Sequence, residues 1–158
     1  MIKDIQPYKF MARVAASKKI SIPGATSSEI SDYAVPSIKR SPDYFIIHCG
    51  TNDLATQNPY IISQNIINIS QQINNKLPNT KVYISSLIKI EDKPFLNPKI
   101  DFVNDLLIKE SDSKGYKFIN NSNIDVNDLN GSKLHLNKKG TSKLASNFIQ
   151  NIKSDLSI

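Results

Sequence analysis

The feature that most constrains the fold is an alternation of strand-like and helix-like segments from Lys18 to the end of the chain. The apolar run Tyr44-Phe45-Ile46-Ile47, within a predicted strand at 43–49, is typical of a strand covered on both faces. In the predicted helix at 60–77, isoleucines recur at helical spacing, at Ile62, Ile66, Ile69 and Ile73. Such an alternation predicts an α/β fold with a parallel sheet and helices on both of its faces.

The remaining elements follow from the same periodicities and from capping residues. Thr26 or Ser27, with Glu29 in reach, should cap a helix that runs to about Val35, where Pro36 disturbs it. Asn137 should cap the last helix. The other predictions are helices at 4–16 and 100–114, the latter ended by Gly115, and strands at 18–22, 80–87 and 116–119.

Length and composition favour one globular domain over residues 1–158. The net charge of +6 favours acidic partners, but the lysines are scattered, so solvated surface charge is preferred over a nucleic-acid site. The tightest basic cluster is Lys138, Lys139 and Lys143.

Cys49 is the only cysteine, which suits a reducing compartment. No apolar run has the length of a membrane span and no signal-peptide pattern is seen, so we expect a cytoplasmic chain.

Three candidate site positions follow predicted parallel strands and should meet at the carboxyl edge of the sheet. Gly24 follows the first strand, Asn52 the second, and His135 lies in the loop after the last. The Asn52 amide could donate to a developing oxyanion, and a neutral His135 could act as a general base. Each has a plainer interpretation: a turn and helix start at Gly24, an Asx-type turn at Asn52, and a structural imidazole at His135.

Other polar residues are not expected to form a site. His48 and Cys49 point to opposite faces of their strand, so they cannot form a metal pair. Acidic residues at Asp92, Asp101, Asp105 and Asp112 are expected on a solvated helix face. No metal or cofactor is predicted, and an unrelated flavodoxin-like binding domain is disfavoured because no Gly-rich phosphate loop follows a strand.

Taken in order, these motifs resemble the SGNH hydrolases, also called the GDSL esterase/lipase superfamily. Gly24 matches the family's second block. Gly50-Thr51-Asn52-Asp53 matches its Gly-x-Asn-Asp block, in which Gly50 and Asp53 support Asn52. His135 matches the C-terminal histidine. The resemblance covers nearly the whole chain and implies a three-layer α/β/α fold of the flavodoxin-like type. More narrowly, the chain resembles the SGNH-like domains of invertebrate genomes and LINE-type retroelements.

The resemblance also implies a mechanism, and this chain departs from the family's pattern in two places. In the family, a serine attacks an ester carbonyl, the histidine takes its proton, and the serine N–H, glycine N–H and asparagine side chain hold the oxyanion. This chain has no Gly-Asp-Ser; Met1-Ile2-Lys3-Asp4-Ile5 is similar to the segment that follows that block. We therefore expect the first strand, central in a sheet of order 2-1-3-4-5, to be missing. Ser132 occupies the position of the orienting aspartate, which Asp128 could replace only if its loop folds back.

Two functions therefore remain open at this point. The first is an SGNH-type ester hydrolase domain, acting on a small ester without a cofactor, and inactive as given because its serine block is absent. The second is a non-catalytic, retroelement-derived binding module that uses the residual pocket or the basic surface.

Overall fold

The computed structural model of the chain describes residues 20–39 and 41–156, and it is an α/β structure. Its regular elements are α1 (Ser27–Ile38), β1 (Tyr44–Ile47), α2 (Pro59–Lys76), β2 (Lys81–Ser85), α3 (Asn97–Lys114), β3 (Lys117–Ile119) and α4 (Lys138–Asp155). The strands pair in the order β1-β2-β3, and both pairs are parallel. The parallel sheet predicted from the alternation is confirmed.

The layers follow from the alternation of side chains along each strand. Phe45 and Ile47 of β1 pack into the hydrophobic cluster formed with α1, α2 and α3. Tyr44 and Ile46 pack into a second cluster, which contains Leu144 and other residues of α4. Helices therefore cover both faces of the sheet, which gives the three layers expected.

Several local predictions are confirmed by burial and capping. The isoleucines of α2 are all buried: Ile62, Ile66, Ile69 and Ile73. The Thr26 N–H donates to Glu29 Oε2 at 2.8 Å, which is one of the two hydrogen bonds of the predicted capping box. The Gly140 N–H donates to Asn137 Oδ1 at 3.0 Å, so Asn137 caps α4.

The predicted strand at 18–22 is wrong for the residues that are described. Residues 20–22 have no strand structure, and Ile20 is 41% exposed. A strand needs a hydrogen-bonded neighbour, and β1 pairs only with β2 among the described residues. Residues 18 and 19, and the predicted helix at 4–16, lie outside the described residues.

The predicted end of α1 near Val35 is also wrong, because the helix continues through Pro36 to Ile38. Ala34 and Ile38 lie one turn apart and are both buried in the cluster with α2 and α3. Proline removes one helical hydrogen bond. Burial of two apolar side chains on the same face offsets that loss, so the helix is not broken there.

Ion pairs neutralise more of the basic surface charge than the sequence indicated. Lys143 and Lys139 lie 2.6 Å and 3.6 Å from the carboxylate of Asp128, so the basic cluster at the start of α4 is largely compensated. The acidic residues predicted to be solvated are indeed exposed: Asp92, Asp101, Asp105 and Asp112. Within residues 20–39 and 41–156, no helix combines the length and apolar character needed to cross a bilayer.

The C-terminal end of α4 is fastened to the sheet by Asp155. Its side chain is 6% exposed and accepts hydrogen bonds from the Tyr83 hydroxyl and the Lys117 ammonium. Burial alone would raise the pKa of Asp155, but the hydrogen bonds from Lys117 and Tyr83 hold that pKa below its ordinary value of 3.8.

We expect Asp155→Asn to destabilise the protein by about 2 kcal/mol near neutral pH, because it removes the charge that Lys117 and Tyr83 bind. A lowered folded-state pKa stabilises the native state above the unfolded-state pKa, and the effect is lost as pH falls through the folded-state pKa. Urea unfolding should therefore show the gap between wild type and variant shrinking below about pH 4. Asp101→Asn, at an exposed surface pair with Lys89, is the control and should change little. A gap that stays constant with pH contradicts this role.

Candidate active site

The carboxyl end of β1 leads into a tight turn, the Gly50 turn (Gly50-Thr51-Asn52-Asp53). Gly50 is buried with φ +113°, a conformation that favours glycine. A Cβ at this position would lie 3.1 Å from Ile62 Cγ2 and 3.2 Å from Ile66 Cδ1. Helix α2 therefore packs directly against the turn and fixes it. The short 3₁₀ helix Thr51–Asp53 then leaves Asn52 exposed and turns Asp53 inward.

Asp53 joins the Gly50 turn to the start of α1. Its side chain is buried and accepts hydrogen bonds from the Ser27 N–H at 2.9 Å and the Ser27 hydroxyl at 3.0 Å. Asn65 of α2 donates to the same Ser27 hydroxyl at 3.1 Å. A carboxylate at a helix N-terminus is favoured by the free N–H groups there. Asp53 is therefore a positioning residue, and Ser27 and Asn65 are partners that the sequence did not identify.

Asn52 and Gly24 are brought together by this link. Asn52 Nδ2 donates to the carbonyl oxygen of Ala25, the residue after Gly24, at 2.9 Å. The other Nδ2 hydrogen and the Gly24 N–H have no partner within the described residues. Asn52 and Gly24 are both exposed. Two N–H donors without a partner among the described residues thus lie on segments that are hydrogen-bonded to each other, and such donors can bind an oxyanion when they converge.

The loop that carries His135 is anchored in both hydrophobic clusters. Leu134 packs against the cluster formed with α1, α2 and α3, whereas Leu136 is buried in the cluster with α4. His135 lies between them and is exposed. The carbonyl of Lys133 accepts from the Glu91 N–H at 2.9 Å, which ties this loop to the segment after β2.

Neither candidate residue orients the His135 imidazole. Ser132 donates its hydroxyl proton to Asn130 Oδ1 at 2.5 Å, and its oxygen accepts from the His135 N–H at 3.4 Å. Ser132 therefore stabilises the turn of the loop. The His135 side chain has no hydrogen-bond partner within the described residues.

Asp128 serves a different purpose, although its loop does fold back. Leu129 and Leu136 form an antiparallel bridge. The buried Asp128 carboxylate accepts from Lys143 at 2.6 Å and from the Asp125 N–H at 3.0 Å. Burial alone would raise the pKa of Asp128, but Lys143 and the Asp125 N–H hold it below its usual value. Asp128 anchors the start of α4 and makes no contact with the imidazole.

A buried polar network beneath the edge was missed by sequence reasoning. His48 Nδ1 lies 2.9 Å from Ser85 Oγ, which accepts from Asn121 Nδ2 at 2.8 Å. Asn121 Nδ2 also donates to the Ser86 carbonyl, which fixes the orientation of the amide. Ser85 Oγ thus links His48 Nδ1 to the Asn121 amide. Burial lowers the pKa of His48 to about 4, so the imidazole is neutral at pH 7.

This network braces the site and does not supply a nucleophile. Ser85 is 1% exposed, so its hydroxyl cannot reach a substrate carbonyl. Asn147 of α4 donates to Asn121 Oδ1 at 2.9 Å, so the network joins α4 to the ends of all three described strands. His48 lies on the α4 side, against Phe148, and Cys49 packs on the other side, as their strand positions predicted. The signal available in the sequence was a polar residue at the end of each strand.

The described residues include no group of three or more His, Cys, Asp or Glu that could hold a metal ion. No family model and no curated protein matches the chain. Solved structures do match it. A GDSL-like lipase from Bacteroides thetaiotaomicron is 19% identical with a TM-score of 0.74, over 84% of this chain and 73% of that one.

Two further structures have the same architecture. The psychrotrophic esterase EstA from Pseudoalteromonas is 17% identical with a TM-score of 0.69, over 85% of this chain and 75% of its own. A carbohydrate esterase of family 3 from Talaromyces cellulolyticus is 15% identical with a TM-score of 0.71, over 90% and 77%. The chain therefore has the α/β fold that these GDSL-like lipases and esterases share.

Proposed function

We propose that this chain is an ester hydrolase domain of the SGNH type that lacks its nucleophile within the residues given. The observation that supports the proposal is the Asn52–Ala25 hydrogen bond, which ties the Gly50 turn to the segment that carries Gly24. The fold shared with esterases and lipases supports it. The substrate is a small ester, and the chemistry needs no cofactor.

In this proposal each site residue has a defined role. Asn52 Nδ2 and the Gly24 N–H stabilise the oxyanion of the tetrahedral intermediate, and Gly50 and Asp53 hold Asn52 in place. His135 accepts the proton of the attacking group. Ser132 occupies the position of the family's orienting carboxylate, but its hydroxyl donates to Asn130. The His135 imidazole therefore has no charged partner from this position. The attacking serine belongs to a Gly-Asp-Ser strand that the 158 residues do not contain.

The chain as given should hydrolyse p-nitrophenyl acetate no faster than its His135→Ala variant, because no hydroxyl among the described residues is hydrogen-bonded to the His135 imidazole. Initial rates at neutral pH, with equal protein concentrations and a no-protein blank, measure this. Turnover by the chain that disappears in His135→Ala would sink the inference of a missing nucleophile.

A second candidate is a non-catalytic binding module, derived from a retroelement, that uses the residual pocket or the basic surface. One observation favours it: Ser132 and Asp128 are both committed to other partners. The compensation of Lys139 and Lys143 by Asp128 weakens its nucleic-acid form. Salt-dependent binding to single-stranded RNA in a mobility-shift titration would support this candidate, since phosphate contacts weaken steeply with salt. We place the protein in the cytoplasm in either case.

A further inference from the structure

A second recess opens at the carboxyl edge, one strand away from the Gly50 turn. We call it the β2–β3 cavity; it has a volume of about 390 Å³ and lies between the segment after β2, the helix α3 and the segment after β3. This volume lies in the range of small-molecule sites, roughly 300–1,000 Å³. None of Gly24, Asn52 and His135 lines it.

Hydrogen bonds join the segments that line the cavity. Asn104 of α3 accepts from the Leu87 N–H at 2.8 Å and donates to the Leu87 carbonyl at 3.0 Å, which ties α3 to the segment after β2. The Asn121 N–H donates to Ser86 Oγ at 3.0 Å, which ties the segment after β3 to the segment after β2. Because these bonds fix the three segments relative to one another, the cavity is preformed and binding requires little reorganisation.

The lining indicates what kind of molecule fits. Ile88 and Ile124 form a buried apolar floor, and Ile108 and Val126 are each 50% exposed at the lip. Half-exposed aliphatic side chains around a recess are favourable contacts for an apolar body.

Two hydrogen-bonding groups of the cavity are uncommitted. Asn120 Nδ2 and Ser122 Oγ have no partner within the described residues, although Asn120 Oδ1 accepts from the Ser122 N–H at 2.8 Å. Both can donate to a carbonyl or hydroxyl oxygen.

The charges at the lip favour neither an anion nor a cation. Lys89 and Asp101 are both exposed and lie 3.1 Å apart, so their opposite charges balance at the lip. Asp125 is exposed and its carboxylate already accepts from the Asn127 N–H at 2.8 Å. A solvated carboxylate of this kind contributes little to binding a cation.

We propose that the β2–β3 cavity is a binding site for an uncharged small molecule with an apolar body and a carbonyl or hydroxyl group, which Asn120 and Ser122 bind. This site is independent of the proposed esterase site and does not need its serine.

Benzamide, benzoate and benzamidine have nearly the same shape but differ in charge. Together they test which ligand charge the cavity accepts and where on the protein the ligand binds. In two-dimensional NMR titrations of the chain, benzamide should shift the amide signals of Leu87, Asn104, Phe118 and Asn120. Benzoate and benzamidine should bind at least about tenfold more weakly, because a charge must be desolvated without a partner. Equal or tighter binding of either charged molecule overturns the ligand class.

Variants then test the site itself. Ile108→Glu places a charge at the lip and should weaken benzamide binding about tenfold or more. Phe102→Glu, on the same helix, 48% exposed and outside the cavity, is the matched control and should leave binding unchanged. Asn120→Ala should weaken binding about three- to tenfold through the lost hydrogen bond. Val126→Glu repeats the lip test on a different element. The proposal is overturned if neither Ile108→Glu nor Val126→Glu alters benzamide binding. It is also overturned if benzamide shifts no amide signals, or if the shifted signals centre on Gly50 and His135.

Discussion

A fusion that places a strand ending in Gly-Asp-Ser directly before Met1 should convert this chain into an esterase. β1 pairs only with β2 among the described residues, so its other edge is available to a parallel strand. That position brings the end of the new strand to the carboxyl edge, beside Asn52 and Gly24. We expect p-nitrophenyl acetate hydrolysis to appear, and to be lost in the fusion's Ser→Ala variant and in His135→Ala.

Within that fusion, Asn52→Ala should lower kcat by about 10²- to 10³-fold, the effect of removing one oxyanion donor. KM should change much less, because the hydrogen bond strengthens only in the transition state. Asn120→Ala, an exposed asparagine in the β2–β3 cavity, is the matched control and should keep full activity. A fusion that folds but stays inactive would point to the uncharged Ser132; restoring Asp there should then raise the rate.

Gly140→Ala should destabilise the protein by about 2–4 kcal/mol. The added Cβ would overlap the Asp128 carbonyl oxygen and lie 2.9 Å from Leu136 Cδ2 and 3.0 Å from Asp128 Cβ. Overpacking of this kind costs roughly 1–3 kcal/mol, and more when backbone must move. Alanine is the better helix former by about 1 kcal/mol, but that gain is smaller than the clash. Chemical denaturation, with Cm and m-value compared to wild type, measures the difference.

The control is Gly131→Ala, nine residues upstream in the same region of the chain. A Cβ at Gly131 meets nothing within 4 Å, so the change in stability should stay within about 0.5 kcal/mol. If Gly140→Ala were as stable as wild type, the close approach of α4 to Asp128 would not exist in solution.

The regular architecture could be predicted because it depends on local patterns. The isoleucine spacing of α2, the Thr26–Glu29 capping box and the Asn137 cap are each readable within one helix. The strand at 18–22 failed because strand formation depends on a neighbour that periodicity does not supply. The end of α1 failed because burial of Ile38 outweighed the local effect of Pro36.

The order of the strands predicts that Asn52 and His135 lie at one edge of the sheet, but it does not predict the contacts that support them. The Asp53–Ser27 link and the His48–Ser85–Asn121 network join residues far apart in sequence, so only the folded chain shows them. Ser132 matched a family position, yet its hydroxyl is taken by Asn130, two residues away.

The anchoring of the His135 loop has a consequence for how a ligand could enter. Leu134 and Leu136 insert into separate hydrophobic clusters on opposite sides of the sheet. Swinging this loop outward would expose both side chains to water, at roughly 1.5–3 kcal/mol for the buried Leu136 and less for the half-buried Leu134. We therefore expect the loop to act as a fixed wall and not as a lid. Selectivity beside it would then come from the size and shape of the entrance that the described residues form, and not from closure of this loop around a bound molecule.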